Sequence, residues 1–243
     1  MIYGMKVAAQ SMDIELTRQQ VITNNLANIN TTAFKRQDIF TEVLEKKLKS
    51  KDEERPFLET NKVLLSSYID FKRGSLKQTD NPLDLALATD GFFVINTPKG
   101  LRFTRRGDFS LNEYGEIVDF NGNQLMGRKG PINIVGKKFH ITEDGEVYVD
   151  GKYVDQILVV DFSDRENTLI SHENGYFEAK DLSTQIWTKD VKIMQGFLET
   201  SNVNPINEMV KLIDLYRTFE INQKVITTID TTLDKAVNQV GRV

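Results

Sequence analysis

Residues 204–240 read NPINEMVKLIDLYRTFEINQKVITTIDTTLDKAVNQV. Met209, Tyr216, Gln223, Asp230 and Val237 recur every seventh residue, and so do Leu212, Phe219, Ile226, Leu233 and Val240. Together they form an a/d heptad held for about five repeats, the pattern of a helix that packs along another helix. Asn204 suits the N-cap, Pro205 the first helical turn, and Glu208 places negative charge near it. The expected helix is roughly 55 Å long at 1.5 Å per residue, against an ordinary mean of about 11–12 residues. Gln223 and Asp230 at a-type positions either set register or face water in an unevenly packed bundle. Val210, Ile213, Ile221, Val225 and Ile229 add apolar surface outside the stripe, so more than one neighbour is expected.

The other end of the chain has a matching pattern. Over residues 5–29, Met5, Met12, Gln19 and Leu26 interleave with Ala9, Leu16 and Thr23. This helix is expected to end near Asn28–Thr32, where asparagine tolerates the left-handed conformation. Asn24, Asn25, Asn28 and Asn30 are spaced so that several share a helix face and reach backbone groups where the chain turns. Phe34 is expected as an apolar anchor in that turn. Residues 36–55 give a weaker helical pattern, with Ile39, Val43, Leu44 and Leu48 on one side and Pro56 as its stop. Residues 57–73 read as an extended linker.

From Gly91 to about Thr200 the period changes to two. Candidate strands are Phe92–Asn96, Leu101–Arg105, Asp108–Leu111, Glu116–Phe120, Lys138–Thr142, Glu146–Val149, Val154–Phe162, Gly175–Glu178 and Ile186–Leu198. Asn121-Gly122, Asp144-Gly145 and Asp150-Gly151 mark tight turns between them. Asn112–Ile117 and Thr142–Val147 resemble each other at an offset of 30 and are expected to be similar hairpins sharing turn chemistry. The fold class is therefore α+β: long terminal helices packing in a coiled-coil-like assembly domain, around a central, mainly antiparallel β domain. The expected divisions are 1–36, N-terminal assembly helix and Asn-rich turn; 37–73, helical or extended linker; 74–198, central β domain; and 199–243, C-terminal assembly helix.

Little in the chain points to chemistry. At 243 residues and a formal net charge of -4, neither nucleic acid nor an anionic membrane surface is an expected partner. There is no cysteine, and so no disulfide or thiolate. No stretch approaches the ~18 apolar residues of a membrane span, and the N-terminus lacks the apolar core of a secretory signal. His140 and His172 read as structural. Asp119-x-Asn121-x-Asn123 begins like a calcium loop, but Gln124 stands where glycine is needed and no glutamate closes it. Gly122-x-x-x-x-Gly127-Arg128-Lys129 imitates a phosphate-binding loop, with arginine for the lysine and lysine for the Ser/Thr. No catalytic, cofactor or metal residue is assigned, and no cofactor is expected.

Three motifs carry a family resemblance. Asn24-Asn25-Leu26-Ala27-Asn28-Ile29-Asn30-Thr31-Thr32-Ala33-Phe34-Lys35-Arg36 resembles the N-terminal signature of the flagellar rod, hook and hook-associated axial proteins. Asp80-Asn81-Pro82-Leu83-Asp84-Leu85-Ala86, followed by Asp90-Gly91-Phe92-Phe93, resembles the start of that family's β domain. Gly196-Phe197-Leu198-Glu199-Thr200-Ser201-Asn202-Val203-Asn204-Pro205 resembles the approach to its C-terminal helix. Ala33 departs from the family, which usually has glycine there; if that position needs a positive φ, alanine costs about 1 kcal/mol or more. Chain length and the single β domain resemble a rod subunit. The run Lys129–Ile134, leading to Phe139–Gly145, resembles the proximal rod type more than the distal.

The resemblance implies a subunit exported through the flagellar type III apparatus without a cleaved signal, which builds the rod across the periplasm. It implies terminal helices in an inner tube around a channel, with the β domain outside. The expected partners are copies of itself and other axial proteins, with no membrane insertion. The residues expected at the assembly interface are Met5, Met12, Leu16, Leu26, Asn28, Phe34, Met209, Leu212, Tyr216, Phe219, Ile226, Leu233, Val237 and Val240. The alternative is a secreted β-rich wall hydrolase with helical oligomerisation arms, which needs a cleft holding a poised carboxylate pair.

Overall fold

The computed structural model describes residues 2–44, 62–136, 138–187 and 190–240. They form two compact units. One joins the N-terminal helix, residues 37–70 and the C-terminal helix; the other comprises residues 28–36 and 71–203. The α+β class follows directly: two long helices flank, in sequence, an antiparallel β domain.

In the first unit, helices Ile2–Ala27 and Pro205–Val240 run antiparallel. A Cβ on Gly4 would lie 3.6 Å from the Ile229 Cδ1. Asn222 donates to Ser11 Oγ at 3.1 Å, and Asn25 to Glu208 Oε2 at 3.2 Å. The C-terminal helix starts as its sequence dictates, with Asn204 Oδ1 accepting from the backbone N–H of Ile206 and Asn207.

The region expected to continue as helix does not. Gln37–Leu44 is a strand paired in full antiparallel register with Lys62–Ile69, inside the stretch read as a linker. The remainder of the expected helix, from residue 45, lies outside the described residues. Local helical spacing lost to a cross-strand partner about 25 residues away, which local pattern does not reveal. The Asn25 amide also clasps the strand's first residue, donating to Gln37 O at 2.8 Å and accepting from Gln37 N–H at 2.9 Å.

The second unit is built on strand Phe92–Thr97, which pairs on one edge with Gly100–Thr104 and on the other with Gln124–Leu125 and Val159–Phe162. Phe92-Phe93-Val94-Ile95 is a continuous apolar run because both faces of this sheet are covered. Phe93 and Ile95 face a core with Leu85, Ile117, Val147 and Ile193. Phe92 meets Phe71, Phe162 and Phe177 in edge and tilted contacts. Two expected strands are subdivided. Val154–Phe162 splits between Lys152–Gln156 and Val159–Phe162, which belong to different sheets. Ile186–Leu198 becomes three short strands whose partners are Val159–Phe162, Leu85–Leu87 and Leu76–Gln78.

The similar hairpins share one turn. Asn112 N–H donates to Glu116 O and Gly115 N–H to Asn112 O; Thr142, Glu146 and Gly145 repeat both bonds. Asp119–Asn123 is a third copy. Here the Asp119 carboxylate accepts from the backbone N–H of Asn121 and Asn123 and from the Tyr176 hydroxyl. The residues that began like a calcium loop thus form an Asx turn, whose carboxylate is occupied by its own chain.

Two glycines separate steric from conformational demand. At Gly107 a Cβ would sit 1.6 Å from the Leu85 carbonyl oxygen, whereas at Gly122, with φ 80°, it would meet nothing within 4 Å. We expect Gly107→Ala to destabilise the second unit by about 3 kcal/mol through backbone displacement. Gly122→Ala should cost only about 1 kcal/mol, for a left-handed alanine. Denaturant unfolding of both variants in the full chain checks the order.

Candidate assembly surface and buried ion cluster

The heptad of the C-terminal helix is used with one of its two series shifted by a residue. Leu212, Phe219, Ile226 and Leu233 are half-buried, as the d series requires. The a series that turns inward is Glu208, Leu215, Asn222 and Ile229, not Met209, Tyr216, Gln223, Asp230 and Val237. Gln223 and Asp230 therefore face water. On the N-terminal helix, Ala8, Glu15, Ile22 and Asn25 are buried, with Met5, Met12 and Leu26 half-buried beside them and Leu16 exposed. Tyr216 keeps one contact across the pair, its hydroxyl accepting from Gln19 Nε2 at 2.9 Å. The side chain of Val240 lies outside the described residues.

The shift leaves the C-terminal helix with two apolar faces. At 100° per residue, Ile206, Val210 and Ile213 lie roughly opposite the buried row, flanked by Met209 and Ile221. All five are more than half exposed, Ile206 at 70%. A large apolar strip on a polar helix is unusual unless something covers it. Val210, Ile213 and Ile221 were legible in the sequence as surplus apolar positions. The inward placement of Glu208 and Leu215 was not, because Met209 and Tyr216 fit a heptad equally well by type.

In the second unit the three sequence motifs converge on one carboxylate. Glu199 ends the short strand Phe197–Glu199, ahead of the helix that starts at Pro205. Its side chain is 1% exposed. Oε1 accepts from Lys35 Nζ at 2.5 Å and from Gly74 N–H at 3.0 Å. Oε2 accepts from Arg105 Nε at 2.9 Å and pairs with Nη2 at 2.8 Å. The Arg105 guanidinium also donates to the carbonyls of Leu87, Thr89 and Gly91. All five of its N–H donors are thereby engaged. Lys35 further donates to Lys72 O at 2.8 Å.

The Asn-rich turn is bound to the same place. Ala33 N–H donates to Glu199 O at 2.8 Å, Arg36 N–H to Asn202 Oδ1 at 2.7 Å, and Asn202 N–H to Phe34 O at 3.3 Å. Asn28 is half-buried and accepts from Thr31 through both its carbonyl and its side-chain oxygen. Phe34 is half-buried. Ala33 has φ 54° and is buried. The position is thus left-handed here, and alanine bears the strain. Sequence reading missed Glu199, Arg105 and Lys35 as a group. The available signal was a pair of charged residues, Lys35 and Glu199, inside two of the motifs.

Burial pushes the Glu199 carboxyl up, but the charges of Arg105 and Lys35, with hydrogen bonds from Lys35 and Gly74, outweigh it and hold the pKa below the usual glutamate value. A carboxylate with a depressed folded-state pKa contributes stability above its unfolded value, and that contribution is lost as pH falls through the folded one. The second unit should therefore lose stability on acidification below the ordinary glutamate range. Glu199→Gln should cost about 3 kcal/mol or more at pH 7, since it leaves two buried cations without their shared counter-charge. The same variant should flatten the acid limb of a stability–pH profile measured by urea unfolding.

Three family models match in order along the chain. "Flagella basal body rod protein" covers residues 5–35, "Flagellar hook protein FlgE/F/G D1 domain" covers 86–149, and "Flagellar basal body rod FlgEFG protein C-terminal" covers 194–240. Lys35 and Glu199 fall in the first and last of these. Among similar proteins, the flagellar basal-body rod protein FlgF of Mesorhizobium japonicum is 32% identical, with 92% of each chain covered. The flagellar hook-basal body complex protein FlhO of Bacillus subtilis is 30% identical over the whole of both chains. The FlgG rod protein of Buchnera aphidicola subsp. Schizaphis graminum is 30% identical, over 97% of this chain and 98% of its own. With matched motifs at both ends and relatives aligned over nearly their full length, the chain belongs to the flagellar basal-body rod protein family and is a structural subunit of the rod.

Proposed function

We propose that this subunit enters the rod through the two apolar faces of its C-terminal helix, one packed on its own N-terminal helix and the other on neighbouring axial subunits. The observation that carries this reading is the exposed strip Ile206, Val210 and Ile213, opposite a row already used within the unit. Each buried Leu, Ile or Phe is worth roughly 1.5–3 kcal/mol, so a few per interface offset the cost of association. Head-to-tail contacts of this kind that do not close into a ring generate a helical tube. Met209, Tyr216 and Val237, exposed in the single chain, are assigned to the same intersubunit surface, with Leu16 on the N-terminal helix. Asn28 and Phe34 act there by shaping the turn.

The finer reading is a subunit of the proximal rod type, supported by the run Lys129–Ile134, where Lys129 N–H is tied to Asp155 Oδ2 at 3.0 Å. Its partners are further copies and other axial proteins. It is delivered by the flagellar export apparatus and stands in a shaft that crosses the periplasm, with its helices innermost. No observation favours the hydrolase alternative: His172 pairs with Glu178 at 2.6 Å on an exposed strand surface, and Asp119 is committed to its turn.

Val210→Asp and Ile213→Asp should abolish rod incorporation while leaving the monomer's thermal unfolding within about 0.5 kcal/mol, as expected for exposed positions. Leu215→Asp, by contrast, should destabilise the helix pair itself by several kcal/mol. Each variant would be expressed in a strain lacking the native protein and scored for motility and for presence in purified basal bodies. Normal incorporation of the two exposed-face variants would remove this strip from the assembly surface.

A further inference from the structure

In the helix unit a cleft of about 320 Å3 opens between the two helices and the strand residues 37–39. Its apolar lining includes Ile22 and Leu215, both buried. Its charged lining counts four carboxylates, Glu15, Asp38, Glu208 and Asp214, against two cations, Arg18 and Lys211. Glu15 is only 8% exposed. Its carboxylate meets Arg18 at 3.7 Å, beyond hydrogen-bonding reach, and accepts no hydrogen bond among the described residues. Asp214, exposed at the same cleft, pairs with no cation among the described residues. The open cleft lets water reach both carboxylates in the free subunit. A partner that closed it must supply donors in place of that water.

The exposed strip of the C-terminal helix carries such a donor. At 100° per residue, Arg217 lies within about 20° of Ile206, in line with Val210 and Ile213. It is exposed and pairs with no carboxylate among the described residues. Lys224, in the same row, is by contrast engaged by Glu220 at 2.9 Å. An arginine set in an apolar face suits a subunit contact, where its stem packs and its planar fork meets a carboxylate. Asp214 and Thr218, at the cleft, are turned about 80° and 120° from Ile206. Strip and cleft therefore face different ways, as a head-to-tail contact requires.

We propose that the Arg217 guanidinium of one copy enters the cleft of the next and pairs there with Glu15 and Asp214. This rests on the strip's being an assembly surface and adds its occupant, a second copy of this chain. Charge complementarity selects that occupant: the cleft has two carboxylates in excess, and the strip brings one unpaired cation in an apolar setting. Ile213 and Ile221 flank Arg217 and shut water out once it is seated. Glu15, poorly served within its own subunit, then gains a forked donor.

The test uses the full chain in a strain lacking the native protein, with copies counted in purified basal bodies. Arg217→Glu should cut incorporation at least about tenfold, since it sets a like charge against desolvated carboxylates. Its monomer should unfold thermally as the native chain does. Arg217→Glu and Glu15→Arg in one chain should restore incorporation, because every copy then carries both halves of the reversed pair. If Glu15→Arg spoils the helix pair, cross-linking decides. The chain has no cysteine, so Arg18→Cys with Ile221→Cys, treated in basal bodies with a short bis-maleimide, should give ladders of this chain longer than a dimer, which neither single variant can give. Normal incorporation of Arg217→Glu, a folded double variant that stays out of the rod, or the absence of ladders would each overturn the proposal. Loss of Val210→Asp from the rod beside normal incorporation of Arg217→Glu would keep the strip as an assembly surface and remove only its seat in this cleft.

Discussion

One carboxylate, Glu199, carries its charge in a place almost without water, and the β unit is arranged to make that tolerable. Stripping a carboxylate of water costs several kcal/mol even after relaxation. Here the cost is met by two cations and a backbone N–H, each within hydrogen-bonding distance. The two cations exceed the one anion, and the surplus positive charge is spread over backbone carbonyls at Leu87, Thr89, Gly91 and Lys72. Every group in the cluster depends on the others being in place. An apolar trio of the same volume would fill the space with no such demand on direction. The fork of Arg105, with each of its donors assigned, dictates the path of the chain from Leu87 to Gly91, immediately before the central strand Phe92–Thr97.

The constraint extends to backbone conformation. Ala33 is held left-handed because its N–H must reach Glu199 O while Lys35, two residues on, reaches the carboxylate below it. Gly74 lacks a side chain for a related reason: a Cβ there would lie 1.9 Å from the Thr200 carbonyl oxygen. Its N–H is thereby brought to the same carboxylate. The left-handed backbone at position 33 and the glycine at position 74 both accompany the seating of one glutamate.

The helix pair obeys a different logic, with polar groups setting register. Asn25 and Glu208 are both buried and bonded to each other, and the asparagine also clasps the first residue of the strand that follows. Sliding the helices by one turn would break the Asn25–Glu208 bond, a hydrogen bond to a charged group worth about 1.5–3 kcal/mol, while Asn25 kept Gln37 and Glu208 kept Lys211. This bond and the apolar row of Leu212, Leu215, Phe219 and Ile226 share the inward face of the C-terminal helix. On that face stand Glu208 rather than Met209, and Leu215 rather than Tyr216. The exposed strip at Ile206, Val210 and Ile213 is the counterpart of that choice.

Much of this architecture is written locally. The Asn204 cap, the d series of the heptad and the turn residues at 112–116 and 142–146 act over a few positions, and each formed as the sequence reads. The sequence also determined the family, because its three motifs are contiguous runs. Three things required the tertiary structure. Gln37–Leu44 became a strand because a partner lay beyond the reach of local pattern. One heptad series moved by a residue, with Glu208 bonded to Asn25 in place of an inward Met209 and Leu215 buried in place of Tyr216. Lys35, Arg105 and Glu199, unremarkable as surface charges in a chain rich in them, became one site because burial gives charge a meaning that composition does not carry. The reason is common to all three: hydrogen bonding and desolvation depend on what stands opposite a residue in space, and the sequence records only what stands beside it.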